Sequence, residues 1–244
     1  MLRSSTQFFE AFQEVMKKSI ETCGDTLERM RLLILEGSSC FHFCLKKVEP
    51  KKRVNSLLFW WFAESVRISS HTLFLASYGL YRNAFYNIRH LLESLVQSIY
   101  IETNHPKCNL NTKLEILKEI EDKKEYRAGR MIEEKPIFAK LKFKRIDCKG
   151  LLKDEYSELS KIVHPSHEKI KDTFEDVTKI RGIPAEIKPD EVVRIFDSLR
   201  RAYDICYYVI VACYPEIKAT LDEKTKMKKF AKKYNMNLLN RIVT

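Results

Sequence analysis

The sequence predicts an all-α fold, a single multi-helix bundle followed by a basic C-terminal helical tail. Three observations lead there. Only six glycines and seven prolines punctuate the 244 residues, whereas a β-sandwich or barrel needs turn residues about every eight to twelve positions. Hydrophobic residues make up 45% and charged residues 32% of the chain, a globular composition and not a disordered one. Long stretches carry apolar residues at helical spacing, bounded by recognisable caps and breaks. No repeat appears, and the expected organisation is a bundle domain over 1–222 with a tail over 223–244.

The elements follow in order. The segment "SSTQFFEAFQEVMKKSIETC" reads as a first helix, with Ser4 and Gln7 spaced as a capping box. Gly24 and Asp25 break it, and Asp25 with Glu28 caps a second helix, "TLERMRLLILEGSSCFHFCLKK", closed by Pro50. A third helix, "NSLLFWWFAESVRISSHTLFLASY", is apolar over most of its circumference and is expected at the centre of the core. Gly79 separates it from a fourth, "LYRNAFYNIRHLLESLVQSIYIE", and the two are expected to pack antiparallel. The charged stretch "NTKLEILKEIEDKKEYRAGRMIEEK" reads as one amphipathic helix, capped by Thr112 and Glu115 and ended by Pro136. Residues 137–149 are basic and ambiguous.

Pro165 stops the next helix, "GLLKDEYSELSKIVH", because proline disfavours helical geometry in the residue before it. Residues 166–188 read as a loop that could hold a short strand. Pro189 suits a first helical turn, opening the last core helix, "DEVVRIFDSLRRAYDICYYVIVACY". The tail, "KTKMKKFAKKYNMNLLNRI", is a basic helix whose docking the sequence leaves open.

A net charge of +11 favours anionic partners, nucleic acid among them, although excess lysine also serves solubility. Seven cysteines form no paired C-x-x-C set, and no signal peptide is apparent, so a reduced, cytoplasmic location is expected. The longest apolar run, "YYVIVACY", is too short to span a bilayer. Membrane partners and cofactors are therefore not expected.

Two polar stripes are the candidate chemistry. At about 100° per residue, Arg82, Tyr86, Arg89, Glu93 and Tyr100 share one line of the fourth helix, opposite the apolar stripe Ala84, Ile88, Leu91, Leu95 and Ile99. The line is either a solvated face with an Arg89–Glu93 ion pair or a polar seam in which Glu93 orients Arg89 toward an anion. Tyr156, Ser160 and His164 likewise share a face, with His164 at a helix C-terminus. There it either caps the last carbonyls or serves as a general base or acid. His167, beyond Pro165, reads as a loop residue.

Other patterns are weaker. In "CFHFC", helical geometry puts Cys40 and Cys44 on one face and His42 nearly opposite, and "HPSHE" lacks a third ligand nearby, so no metal site is expected. No glycine-rich phosphate loop, nucleophile elbow or dinucleotide fingerprint occurs. "FWWF" surrounds a helix, and core packing is its favoured use over base stacking.

The stretch "LASYGLYRNAFYNIRHLLESLVQSIYIE", with "ELSKIVHPS" downstream, resembles an uncharacterised set of bacterial and archaeal helical proteins that share G-L-Y-x-x-A-x-x-x-x-R-x-x-x-E and L-S-x-x-x-H-P-S elements. That set is in turn similar to the HEPN superfamily. The likeness covers roughly 56–167 and the last core helix. It implies a homodimeric bundle and a metal-independent endoribonuclease, in which a histidine and an arginine act on the 2′-hydroxyl and the scissile phosphate. His164 matches the histidine. The arginine expected a few residues before it is missing, because those positions hold Ser157, Glu158, Leu159 and Ser160. Arg89 or Arg82 from the fourth helix would have to supply the cation.

Three functions stay open at this point. The leading one is an RNA-linked protein with His164, Arg89 and Glu93 as catalytic groups and Arg82, Tyr86, Tyr156 and Ser160 as ligand-binding groups. The others are a non-catalytic interaction or assembly module with a protein partner, and a bundle that binds a small anionic ligand.

Overall fold

The computed structural model describes residues 5–46, 49–121, 123, 127–135, 142–143, 146–164, 187–213 and 221–243. Ser4, Pro136, Pro165, His167 and the 166–186 part of the expected loop lie outside them. The described chain is an all-α bundle of ten helices: α1 (Ser5–Lys46), α2 (Pro50–Val54), α3 (Leu57–Ser77), α4 (Tyr81–Asn104), α5 (Leu110–Glu121), α6 (Ala128–Glu134), α7 (Cys148–Val163), α8 (Pro189–Cys213), α9 (Leu221–Lys233) and α10 (Asn237–Val243). A minimal antiparallel hairpin, β1 (Lys142–Phe143) with β2 (Ile146–Asp147), precedes α7.

Helix α4 is the hub, packing against α3, α5, α6, α7 and α8. Its expected apolar stripe, Ala84, Ile88, Leu91, Leu95 and Ile99, is fully buried, each large side chain contributing about 1.5–3 kcal/mol of burial. Helices α3 and α4 run antiparallel, since Trp61 Nε1 donates to Ser94 Oγ at 3.0 Å while Leu57 N donates to the Glu102 carboxylate. Gly79 makes the hinge with φ 72°. Leu80 N donates to Leu75 O at 2.9 Å and Gly79 N to Ala76 O at 3.2 Å, the paired bonds of a left-handed helix end.

Helix α3 is less central than its composition suggests. Its buried face carries Ser65, Ser69 and Thr72, whose hydroxyls donate to carbonyls three or four residues back at 2.7, 2.7 and 2.9 Å. Those short side chains face the core, while Trp60 and Phe74 are exposed. Of "FWWF", Trp61 enters the core and Trp60 does not. The deepest aromatic cluster instead joins Phe41, Tyr203 and Tyr207, with the Phe41 and Tyr207 rings stacked at 3.9 Å.

Two expected boundaries are corrected. Gly24 does not break the first helix, because α1 runs 42 residues through it. Cys23, Leu27, Met30 and Ile34 continue one buried stripe across the position, and that burial exceeds the roughly 1 kcal/mol a helical glycine costs. Glu28, expected as a capping partner, pairs instead with Arg31 at 2.7 Å. Conversely, the charged helix expected from Thr112 to Pro136 is divided into α5 and α6. The α5 stripe (Leu110, Ile116, Leu117, Ile120) packs with Leu57 and Ile101, whereas Ala128, Met131 and Ile132 of α6 join the main core. One straight helix could not reach both. The N-cap acceptor of α5 is Asn109, whose Oδ1 takes the Thr112 N–H at 3.0 Å.

The basic tail docks. Met227, Phe230, Ala231, Tyr234, Met236, Leu239 and Val243 belong to the main core. Asn235 turns the chain between α9 and α10 with φ 52°. Buried Asp204 of α8 accepts the Leu238 and Leu239 N–H groups at 3.0 and 2.8 Å, capping α10. Burial lifts the Asp204 carboxyl above its ordinary range, against the pull of those N–H bonds. No helix of the described residues is long and apolar enough to cross a membrane.

The two glycines of α1 give opposite expectations. A Cβ at Gly24 meets nothing within 4 Å, whereas one at Gly37 falls 2.6 Å from the Tyr203 ring. Gly24→Ala is expected to raise stability by about 0.5–1 kcal/mol and Gly37→Ala to lower it by about 1–3 kcal/mol in urea unfolding. Equal effects at both sites would contradict this packing.

Candidate functional site

The two polar stripes meet where α4 and α7 pack together. Arg89 Nη2 donates to Tyr156 Oη at 2.7 Å, and its guanidinium carbon lies 5.0 Å from the Tyr156 ring centre. The Tyr156 hydroxyl in turn hydrogen-bonds Glu93 Oε1 at 3.4 Å, while the direct Arg89–Glu93 approach is only 4.0 Å. Glu93 thus acts on Arg89 mainly through the phenol. The side chains of Arg89 and Glu93 are 17% and 25% exposed, so this part of the line is a half-buried seam between helices, while Arg82 and Tyr86 on the same line are exposed.

Burial disfavours the Arg89 charge, but Tyr156, Glu93 and Tyr86 more than compensate and hold the guanidinium firmly protonated. Burial likewise pushes the Tyr156 phenol up, with Glu93 adding to the push and Arg89 opposing it. The proton therefore stays on the phenol, and the tyrosine links Arg89 to Glu93 as acceptor of one bond and donor of the other. Two buried polar atoms at this contact, Arg89 Nε and Ser160 Oγ, have no hydrogen-bond partner among the described residues.

Two turns toward the start of α4 from Arg89, Arg82 grips the end of α7. Its Nε and Nη2 donate to Val163 O at 3.1 and 2.7 Å. A cation here satisfies an orphan carbonyl and opposes the negative end of the helix dipole. The next residue, His164, is the C-cap, with extended backbone (φ −67°, ψ 132°) and its N–H on Ser160 O at 2.9 Å. The backbone does the capping, and the imidazole is left exposed with no bond to a described residue.

Arg82, Tyr86, Arg89 and His164 line one open cleft of about 470 Å³, together with Leu75, Asn83, Asn87 and Val163. Of the expected site residues, these four converge. Glu93 and Tyr156 stand behind Arg89 and do not line the cleft, and Ser160 lies one helical turn before His164. Asn83 and Asn87 were not singled out from the sequence. They sit off the Arg82–Arg89 line, and only their i, i+4 spacing on the flank of the same helix marks them.

Of the other motifs, "HPSHE" beyond His164 lies outside the described residues. "CFHFC" is helical, with Cys40 buried and His42 exposed, and no group of three metal-ligating side chains occurs among the described residues. Compared with protein-family models, curated proteins and solved structures, the chain matches none.

The cleft offers two guanidinium groups, an accessible imidazole and two primary amides. Guanidinium groups recognise phosphate oxygens through directed, charge-assisted N–H bonds. An imidazole beside them can accept a proton from a hydroxyl.

Proposed function

We propose that this chain is an RNA-linked protein of the HEPN kind, whose α4–α7 cleft binds the sugar-phosphate backbone and cleaves it without a metal ion. The observation that carries the reading is the exposed imidazole of His164 in one cleft with Arg82 and Arg89. In this reaction His164 takes the proton of a 2′-hydroxyl, and the 2′-oxygen attacks the adjacent phosphorus. The bond from phosphorus to the 5′-oxygen breaks, and that oxygen leaves with a proton returned by the imidazolium. The products are a 2′,3′-cyclic phosphate and a 5′-hydroxyl. Arg89 stabilises the charge that builds on the phosphate oxygens, and Arg82 holds the helix end from which His164 projects. Two copies pair in this reading, as the resemblance implies, and the protein works in the cytoplasm.

The basic exterior supports it. Lys224, Lys228, Lys229 and Lys232 are exposed on α9, which the core holds in place. Single-stranded RNA should bind with steep salt dependence, each neutralised phosphate contributing about 0.7 to the log–log slope. Deleting the tail would strip core residues, so the test is the Lys228→Ala, Lys229→Ala, Lys232→Ala variant in a filter-binding titration. A smaller slope without altered sequence preference is expected. Salt-independent binding of the parent chain would discard the electrostatic reading.

A second reading has its own support. Arg82 is engaged with Val163 O and Arg89 with Tyr156, as in a seam that only ties helices together. A non-catalytic interaction module built this way would lose thermal stability on Arg89→Ala and bind no RNA.

A further inference from the structure

Another hollow lies at the other end of α4. A cleft of about 560 Å³ is walled by α2, the start of α3, the end of α4 and the start of α5. It is lined by Lys51, Lys52, Lys107 and Lys113, by Glu49 and Glu102, and by the apolar Leu58, Ile99 and Pro106. From Arg89 to Glu102 is about 20 Å along the helix, so this cleft is separate from the α4–α7 site.

Its floor is a hydrogen-bonded network. Lys113, whose side chain is 2% exposed, donates to Asn55 O and Glu102 Oε2, both at 2.9 Å. The other Glu102 oxygen accepts the Leu57 N–H, and Asn55 Oδ1 accepts the Leu110 N–H at 3.3 Å. One N–H of the buried ammonium has no acceptor among the described residues. On the rim Lys51, Lys52 and Lys107 are exposed and form no ion pair with a described residue.

The charges identify the ligand. Lys113 and Glu102 neutralise each other, which leaves Lys51, Lys52 and Lys107 against Glu49. The excess is two positive charges, the complement of a dianion. The volume is far larger than a bare phosphate requires and falls in the range typical of small-molecule sites, about 300–1,000 Å³. Of its apolar lining Leu58 and Ile99 are buried, and exposed Pro106 offers the surface for an organic body.

We infer that this cleft binds a small molecule carrying a phosphate monoester, the dianion facing the three lysines and the body lying against Pro106. This is independent of the RNA reading, because it shares no residue with the α4–α7 cleft.

The test is isothermal titration of the full chain with phenyl phosphate and, separately, with inorganic phosphate. Phenyl phosphate should bind in the micromolar to millimolar range, more tightly than phosphate alone. The Lys52→Ala, Lys107→Ala variant should weaken it at least about tenfold, the matching arginine variant should restore it, and Arg82→Ala should leave it unchanged. In a second measurement, phenyl phosphate should protect Lys52 and Lys107 from acetylation, read by mass spectrometry. Absence of binding at millimolar ligand would overturn the inference. So would loss of binding on Arg82→Ala with the lysine variant unaffected, or unchanged acetylation of both lysines.

Discussion

His164→Ala is expected to lower RNA cleavage by about 10²–10⁴-fold, the usual contribution of a general base, with no change in helical content or melting temperature. Stability should hold because the cap is made by the His164 backbone N–H on Ser160 O at 2.9 Å, which alanine keeps. The imidazole itself is exposed and has no described partner to lose. Arg89→Ala should differ in kind. It removes charge stabilisation at the phosphate, and it also strips the 2.7 Å bond from the Tyr156 hydroxyl, so cleavage and melting temperature should fall together. The product is checked by mass spectrometry as a 2′,3′-cyclic phosphate, with and without chelator. Full cleavage by the His164→Ala protein, or cleavage abolished by chelator, would remove the proposed mechanism.

Lys113→Met is expected to destabilise the chain by about 3–5 kcal/mol, the cost of leaving one member of a buried ion pair alone. Lys113 is held at 2.9 Å from both Asn55 O and Glu102 Oε2, so the substitution leaves a carboxylate 14% exposed without its cation. Adding Glu102→Gln removes that charge while keeping an acceptor for the Leu57 N–H, and should recover part of the loss. Urea unfolding of the single and double variants measures the coupling directly. A loss below about 1 kcal/mol from Lys113→Met would mean that water reaches the pair and that it behaves as a surface bridge.

Glu102 and Lys113 also show where reading along the chain stops. Lys113 sits among the polar residues of an amphipathic helix, and its neighbours in sequence give no reason to bury it. It is buried because α5 crosses the end of α4, placing an acid and a free carbonyl within reach. The α4–α7 site divides in the same way. The spacing of Arg82, Tyr86 and Arg89 and of Tyr156, Ser160 and His164 put each set on one face. That the faces meet, with Arg82 on the Val163 carbonyl and Glu93 withdrawn behind Tyr156, follows from packing.

The all-α class, the antiparallel pair α3 and α4, their glycine hinge and the apolar stripe of α4 were all legible in the amino-acid order. Each rests on interactions within a few residues: helical periodicity, a left-handed glycine, an end cap. The continuity of α1 through Gly24, the division of α5 from α6 and the docking of the basic tail were decided by tertiary contacts. Local preferences there amount to about 1 kcal/mol or less, whereas burying a single large apolar side chain contributes about 1.5–3 kcal/mol. Where several such side chains can reach the core only by overriding a break, or by creating one, the core sets the boundary.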